Sequence, residues 1–124
     1  MSSSELRYLI AANELAAGGA PVKQKDIAGK LGVTKVSAYN AVERLREKGY
    51  IAKTERLVTL TDSGRQILAE YLTIIHFITM HLALHCKTSA EQAYDDALNV
   101  SCAFSDATRN GVANFIRSGM KGAL

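Results

Sequence analysis

The sequence has few cysteines, no secretion signal and no long apolar run. Cys86 and Cys102 are too few for a disulfide framework and favour a reducing, cytoplasmic location. The N-terminal stretch MSSSELRYLIAANELA lacks a basic region followed by an apolar run, because Glu5, Arg7 and Glu14 interrupt it, and this excludes a signal peptide. An uninterrupted apolar span of about 20 residues is also missing, so we do not expect a membrane protein.

Catalytic arrangements are missing as well. The sequence shows no Ser/His/Asp order, no phosphate-cradling glycine loop and no facing pair of carboxylates. Asp95 and Asp96 are adjacent on a predicted helix, where neighbouring side chains do not face each other. We therefore expect that the protein is not an enzyme.

The chain is rich in apolar residues and unevenly charged. Hydrophobic residues make up 48% of its 124 positions, which predicts one folded domain, or a small domain with a dimerisation element. Residues 1–65 carry eleven Lys and Arg against seven Asp and Glu, whereas the remainder carries four against five. A basic first half indicates an anionic partner, although ordinary surface scatter is an equally good explanation of the charge alone.

The first half has the element order of a winged helix-turn-helix. Ser2 to Glu5 form a predicted capping box, and Gly18, Gly19 and Pro21 end the first helix. A short helix in KQKDIAGKLGV precedes a turn at Gly32 and a third helix capped by Thr34. The alternating stretch YIAKTERLVTLT then predicts a hairpin with its turn near residues 54–56.

The second half predicts three helices. One runs from Asp62 to about His85 and is apolar on nearly all sides, which favours burial in a dimer interface. Ser89 and Gln92 predict a capping box for the next helix, and the last begins after Ser105. The predicted fold class is all-α with a small β-hairpin wing, with a DNA-binding region over residues 1–62 and a helical dimerisation region over residues 63–124.

The third helix and the hairpin carry the residue types that read DNA. A helix in the major groove needs polar side chains near its start to reach base edges and cations around it to hold phosphates. The first requirement is met by Thr34, Lys35, Ser37, Tyr39 and Asn40, and the second by Lys23, Lys25, Arg44, Lys48, Lys53 and Arg56. The competing interpretation is a winged helix that contacts protein and has a solvated basic face.

Four stretches give the sequence a family resemblance over nearly its whole length. They are ELRYLIAANEL, DIAGKLGVTKVSAYNAVERLREKGYI, VTLTDSGRQIL and AYDDALNVSCAFSD, and the last two are the more specific. With them the sequence resembles the DtxR/MntR family of metal-dependent winged-helix transcriptional regulators. The resemblance implies a homodimer that binds a palindromic operator, with Thr34, Val36 and Asn40 at the DNA and a manganese or iron ion between the two halves. Because the sequence ends at Leu124, we expect the SH3-like domain of some members to be absent.

The metal site is where this sequence departs from the family. The resemblance places the ligand positions at Arg7, Ile10, Ile75, Leu98, Ser101 and Cys102. Manganese and iron prefer carboxylate and imidazole ligands, and among these six residues only Cys102 has a side chain that would bind a metal. We therefore expect that the usual site is lost, with Ile10, Ile75 and Leu98 closing the gap between helices and Arg7 supplying a fixed positive charge.

A histidine-rich stretch, HFITMHLALHCK, leaves a relocated site open. His81 and His85 are four residues apart on one helix, Cys86 follows, and Cys102 lies on the next helix. Two imidazoles and two thiolates would suit zinc or another soft metal. The preferred interpretation is an interfacial helix that carries a few polar side chains and binds no cofactor. The leading prediction is a homodimeric DNA-binding regulator, most simply a repressor. The alternatives are a dimeric protein-interaction module and a regulator that senses a soft metal or small ligand.

Overall fold

A computed structural model describes residues 1–120 of the chain. They form two compact units, Met1–Leu68 and a second that begins at Ala69. In chain order the elements are α1 (Ser3–Ala17), β1 (Val22–Lys23), α2 (Gln24–Leu31), α3 (Lys35–Glu47), β2 (Ile51–Thr54), β3 (Leu57–Leu60), α4 (Asp62–His85), α5 (Ala90–Ala103) and α6 (Asp106–Arg117). This mostly helical chain with one small antiparallel sheet confirms the predicted fold class.

Side-chain caps begin the helices where the sequence predicts them. Ser2 and Glu5 close the capping box of α1, and Thr34 caps α3 by accepting a hydrogen bond from the Ser37 amide. Ser89 caps α5, but the Gln92 side chain donates to Asp96 (2.8 Å) and does not complete the capping box predicted there within the described chain.

The sheet has three strands, one more than the predicted hairpin. Its order is β1-β3-β2, and Val22 of β1 pairs with Val58 of β3. The two-residue β1 is too short to give an alternating pattern, which is why the sequence does not reveal it. Glu55 and Arg56 form the β2–β3 turn with positive φ angles of 50° and 70°, as a two-residue hairpin turn requires, and this confirms the predicted turn.

The VTLTDSG motif joins the sheet to α4 through one threonine and one glycine. Thr61 Oγ1 donates to the Gly49 carbonyl (2.6 Å) and accepts from the Gly64 amide (3.0 Å), so it fixes the start of α4. A Cβ on Gly64 would lie 2.1 Å from the Tyr50 carbonyl oxygen, far inside contact distance. Only glycine lets the first turn of α4 approach the Tyr50 backbone this closely.

The long helix α4 is buried only over part of its length. Leu68, Tyr71, Ile74 and Ile75 are buried, whereas no residue from His76 to His85 is. By length and composition alone α4 could cross a membrane, but core helices of soluble proteins pass the same test. The C-terminal half of α4 presents apolar side chains that are exposed in the described chain, Met80 and Leu84 among them.

A buried arginine joins α6 to α4 in the second unit. The Arg109 guanidinium lies 3.2 Å from Glu70, 2.8 Å from Asp106 and 3.3 Å from the Tyr71 hydroxyl, with its carbon 4.9 Å from the Tyr71 ring centre. Burial works against the charged form of Arg109, but the hydrogen bonds to Asp106 and Glu70 outweigh it and raise the pKa. Arg109 therefore remains charged and binds two acidic residues within the unit.

Candidate nucleic-acid interface

One face of α3 is packed and the other is open. Ala38, Ala41, Val42 and Leu45 are fully buried, as their helical spacing predicts. The predicted DNA-contacting residues on α3 are all exposed, with Val36 at 69% and Tyr39 at 50%; they are Lys35, Val36, Ser37, Tyr39, Asn40 and Arg44. The helix thus presents a mixed polar and apolar surface near its N-terminus.

The Thr34 cap restricts two of the hydroxyls on that surface. Thr34 Oγ1 accepts from the Ser37 amide (3.1 Å) and also donates to Ser37 Oγ (3.0 Å). These bonds hold both side chains at the helix start. Their predicted contact with base edges stays a prediction, and each hydroxyl oxygen retains a lone pair with which to accept a hydrogen bond.

The wing, defined here as β2, β3 and the Glu55–Arg56 turn, supplies two predicted cations. Arg56 lies at its exposed tip, whereas Lys53 reaches back to α3. Lys53 Nζ lies 2.8 Å from Glu43 Oε1 and 4.9 Å above the centre of the Tyr39 ring. Two side chains of α3, those of Glu43 and Tyr39, therefore hold the Lys53 ammonium.

Glu43 is the residue that the sequence prediction missed at this site. Its Oε2 accepts from Arg46 Nε (3.1 Å) and Nη2 (2.7 Å), while Oε1 accepts from Lys53. Hydrogen bonds from Arg46 and then Lys53 lower the Glu43 pKa to about 2. The Arg46 pairing follows from helical spacing, but the Lys53 pairing depends on how the wing folds against α3.

An open groove of about 610 Å³ lies between the wing, α3 and the start of α2. Four cationic side chains and one carboxylate are among its lining residues, which are Lys23, Gln24, Lys25, Tyr39, Lys53, Glu55, Arg56 and Leu57. Four of the six predicted phosphate-contacting residues, Lys23, Lys25, Lys53 and Arg56, thus line one surface feature, whereas Arg44 and Lys48 do not line it. A positive groove beside an exposed helix favours a polyanion.

Glu5 anchors the other end of α3. Its buried carboxylate lies 2.8 Å from Lys48 Nζ and 3.9 Å from Arg44 Nε, and it also accepts from the Ser2 amide. Burial raises the Glu5 pKa, but the bonds from Lys48 and Ser2 prevail and lower it to about 2. Lys48, predicted as a phosphate contact, therefore also fastens α3 to α1.

Most of the residues at the family's metal positions are buried within their own units. In the first unit Ile10 is buried and Arg7 is half-buried; in the second Ile75, Leu98 and Ser101 are buried and Cys102 is half-buried. Ser101 Oγ donates to the Ala97 carbonyl within α5 (2.7 Å). Aliphatic side chains and a hydroxyl bonded to its own helix do not fit manganese or iron. The predicted closure of the gap by Ile10, Ile75 and Leu98 stays a prediction.

The relocated metal site does not assemble in the described chain. The His81 ring stacks on His85 at 5.3 Å between ring centres and also packs against Phe77 at 4.4 Å. Cys86 is exposed and Cys102 is half-buried. Residues 1–120 contain no group of three or more His, Cys, Asp or Glu side chains that could hold a metal ion. The described chain therefore does not bring three of the four residues His81, His85, Cys86 and Cys102 together as metal ligands.

Comparison with known proteins shows which solved structures share this fold. No protein-family model and no curated protein matches the chain. The hypothetical protein SSo2273 from Sulfolobus solfataricus is 21% identical, with a TM-score of 0.71 over 94% of this chain and 89% of its own. The manganese regulator SloR is 20% identical, with a TM-score of 0.74 over 91% of this chain.

A third solved structure extends the pattern. IdeR of T. acidophilum is 18% identical, with a TM-score of 0.66 over 92% of this chain. The chain spans about half the length of these last two proteins, 53% of each. At such identities the likeness shows the fold, which is the one that the metal-dependent regulators share.

Proposed function

We propose that this protein is a cytoplasmic, homodimeric, sequence-specific DNA-binding transcription regulator, most simply a repressor, that acts at a palindromic operator. The observation that carries the proposal is the basic groove between the wing and α3, beside an exposed helix face rich in polar side chains. Solved structures of the same fold include a protein described as a manganese regulator. In this proposal residues 1–62, which lie within the first unit, read DNA, and the chain from residue 63 onward serves dimerisation.

The roles of the α3 residues follow from their exposure and chemistry. Asn40 would pair with an adenine, and the exposed Val36 side chain would meet a thymine methyl group. Thr34, Lys35, Ser37 and Tyr39 would surround these contacts. Arg44 and Arg56 would lie along phosphates, which fix register and carry no sequence information, and Lys53 would stand beside them over the Tyr39 ring.

The second unit supplies the proposed dimer interface. Several large apolar side chains are exposed on its helices, notably Met80, Leu84, Val100 and Phe115. A contiguous patch of such residues marks an interaction surface in a soluble protein, and we propose that these side chains contribute to one. A second copy of the chain would cover it, and a two-fold axis would match the symmetry of a palindromic operator.

We further propose that DNA binding needs neither manganese nor iron. The residues at the family's ligand positions do not fit these ions, since Ile10, Ile75 and Leu98 have no donor atoms and Ser101 bonds to its own helix. The signal that this regulator answers would then differ from that of its metal-dependent structural neighbours.

The test is the affinity for duplex DNA as a function of salt. We expect log K to fall steeply and linearly with log salt, and Arg56→Gln to reduce the slope by about 0.9 for one lost phosphate contact. Lys30→Gln is the matched control, because Lys30 also carries one positive charge but pairs with Glu14 (3.1 Å) and does not line the groove. Salt-independent or absent binding would favour the protein-interaction module.

A further inference from the structure

The wing lysine is held by the recognition helix and is not extended toward solvent. The Lys53 side chain is only 22% exposed, with its ammonium 2.8 Å from Glu43 and over the face of Tyr39. A flexible lysine that contacts phosphate freely would have no need of either partner. The position of Lys53 therefore raises the question of what the Glu43 carboxylate contributes.

Glu43 uses both of its oxygens on cations, of which Lys53 lines the groove and Arg46 does not. Oε1 binds Lys53 and Oε2 binds the forked guanidinium of Arg46. Tyr39, Glu43 and Arg46 follow one another at intervals of four and three residues, so they lie on one helix face. With a pKa of about 2, Glu43 is ionised at every pH at which DNA binding would be measured.

We propose that Glu43 is a positioning residue that restrains non-specific DNA binding: it withholds Lys53 from phosphates and keeps this lysine as a cap on Tyr39. The proposal rests on the DNA-binding function proposed above. A carboxylate beside the groove repels phosphates of every sequence equally, so it lowers background affinity. A capped Tyr39 ring keeps one orientation, so the same contact favours the operator over other sequences.

Stability does not explain this arrangement. The Lys53 and Glu43 side chains are each 22% exposed, so water still reaches the pair; such ion pairs contribute little to folding, because solvent screens them and side-chain entropy opposes them. An acidic residue beside a DNA-binding surface also lowers affinity. An effect on DNA specificity therefore explains the contact between Glu43 and Lys53 better than an effect on stability does.

The experiment compares Glu43→Gln with the wild type on a short duplex of mixed sequence and on a duplex selected by the wild-type protein. We expect Glu43→Gln to bind the mixed-sequence duplex about fivefold more tightly, with a salt slope steeper by about 0.9 because Lys53 gains a phosphate. Affinity for the selected duplex should rise less, so the ratio of specific to non-specific affinity falls.

Two further variants separate the lysine from simple charge. Glu47→Gln removes the same charge from an exposed position one turn further along α3, and should change the slope much less. Glu43→Gln combined with Lys53→Gln should return the slope to the wild-type value, because the released cation is then gone.

The outcomes distinguish failure of this inference from failure of the proposed function. Equal slopes for Glu43→Gln and Glu47→Gln, in a wild-type protein that binds DNA, would overturn the restraint by Glu43 and leave the function standing. A wild-type protein with no salt-dependent binding would overturn the function, and the inference with it. An NMR titration of Glu43 near pH 2 would still show in that case that the ion pairs form.

Discussion

Glu5 in the first unit and Arg109 in the second are both buried charges, but they gather partners of opposite kinds. Glu5 draws in Lys48 and Arg44, whose side chains remain about half exposed at the C-terminal part of α3. Arg109 draws in Glu70 and Asp106 and is itself almost fully buried. The two cations that pair with Glu5 thus stay at the surface, whereas Arg109, the cation of the second cluster, is itself buried.

This difference gives the charge distribution a structural meaning. The excess of basic residues in the first half is displayed around α3 and the wing, where a polyanion can reach it. The second half uses its buried cation to pack α6 against α4 and leaves apolar side chains on its surface. This difference is the basis for proposing that the first unit binds nucleic acid and the second binds protein.

The largest expected effect is the loss of the Arg109 cluster. Arg109→Met should lower the free energy of unfolding by about 4 kcal/mol, because it leaves Glu70 and the Tyr71 hydroxyl without their buried partner. Urea denaturation measures the change. Arg117→Met, at an exposed position of the same helix, is the control and should change stability by less than about 0.5 kcal/mol. Equal effects of the two variants would remove Arg109 from its structural role.

Replacing a glycine by alanine should have opposite effects on stability at Gly64 in the first unit and at Gly111 in the second. Gly64→Ala should cost about 3 kcal/mol, because its Cβ would meet the Tyr50 carbonyl oxygen. Gly111→Ala in α6 meets nothing within 4 Å and should stabilise the protein by about 0.5 kcal/mol. Thermal melts of both variants give the signs, and a neutral Gly64→Ala would contradict the close approach of α4 to Tyr50.

Acid should weaken the first unit through Glu5. Because its folded-state pKa of about 2 lies below the usual 4.5, the Glu5 contribution is fully present above pH 4.5 and is lost as pH falls toward 2. Glu5→Gln should lower stability by about 2 kcal/mol at neutral pH and flatten the acid limb of the stability curve. If the curves of variant and wild type remain parallel below pH 4.5, Glu5 is not the group that titrates.

Val36 and Leu84 test the division of labour, since each is an aliphatic side chain exposed to 69%. Val36→Glu should weaken duplex binding about tenfold or more through repulsion of phosphates, and leave dimerisation unchanged. Leu84→Glu should weaken dimerisation by about tenfold or more. Sedimentation and DNA titration on both variants check the pair. If Val36→Glu and Leu84→Glu weaken dimerisation equally, the proposed DNA-binding and dimerisation surfaces are not separate.

The sequence predicts the elements well because their signals are local. Ser2, Thr34 and Ser89 cap helices at the predicted positions, and the Glu55–Arg56 turn is where the alternating pattern breaks. The two-residue strand β1 has no such signal, since its pairing partner in β3 lies more than 30 residues away in the sequence.

The sequence predicts which basic residues belong to the candidate site, but it does not predict the acidic residues with which they pair. Exposure of Lys35, Tyr39 and Asn40 follows from helical periodicity. The contacts of Glu43 with Lys53 and of Glu5 with Lys48 depend on how the wing and α1 pack against α3. Spacing also left a relocated metal site open; in the described chain His81 and His85 stack, and no group of three or more candidate metal ligands is present.

The most direct test of the account is the affinity of the wild-type protein for a selected duplex, measured first with a chelator and then with added manganese or iron. The account predicts tight, salt-dependent binding in chelator that changes by less than about twofold on adding either ion. A rise of about tenfold or more, the usual size of coupling between an effector and its protein, would contradict it.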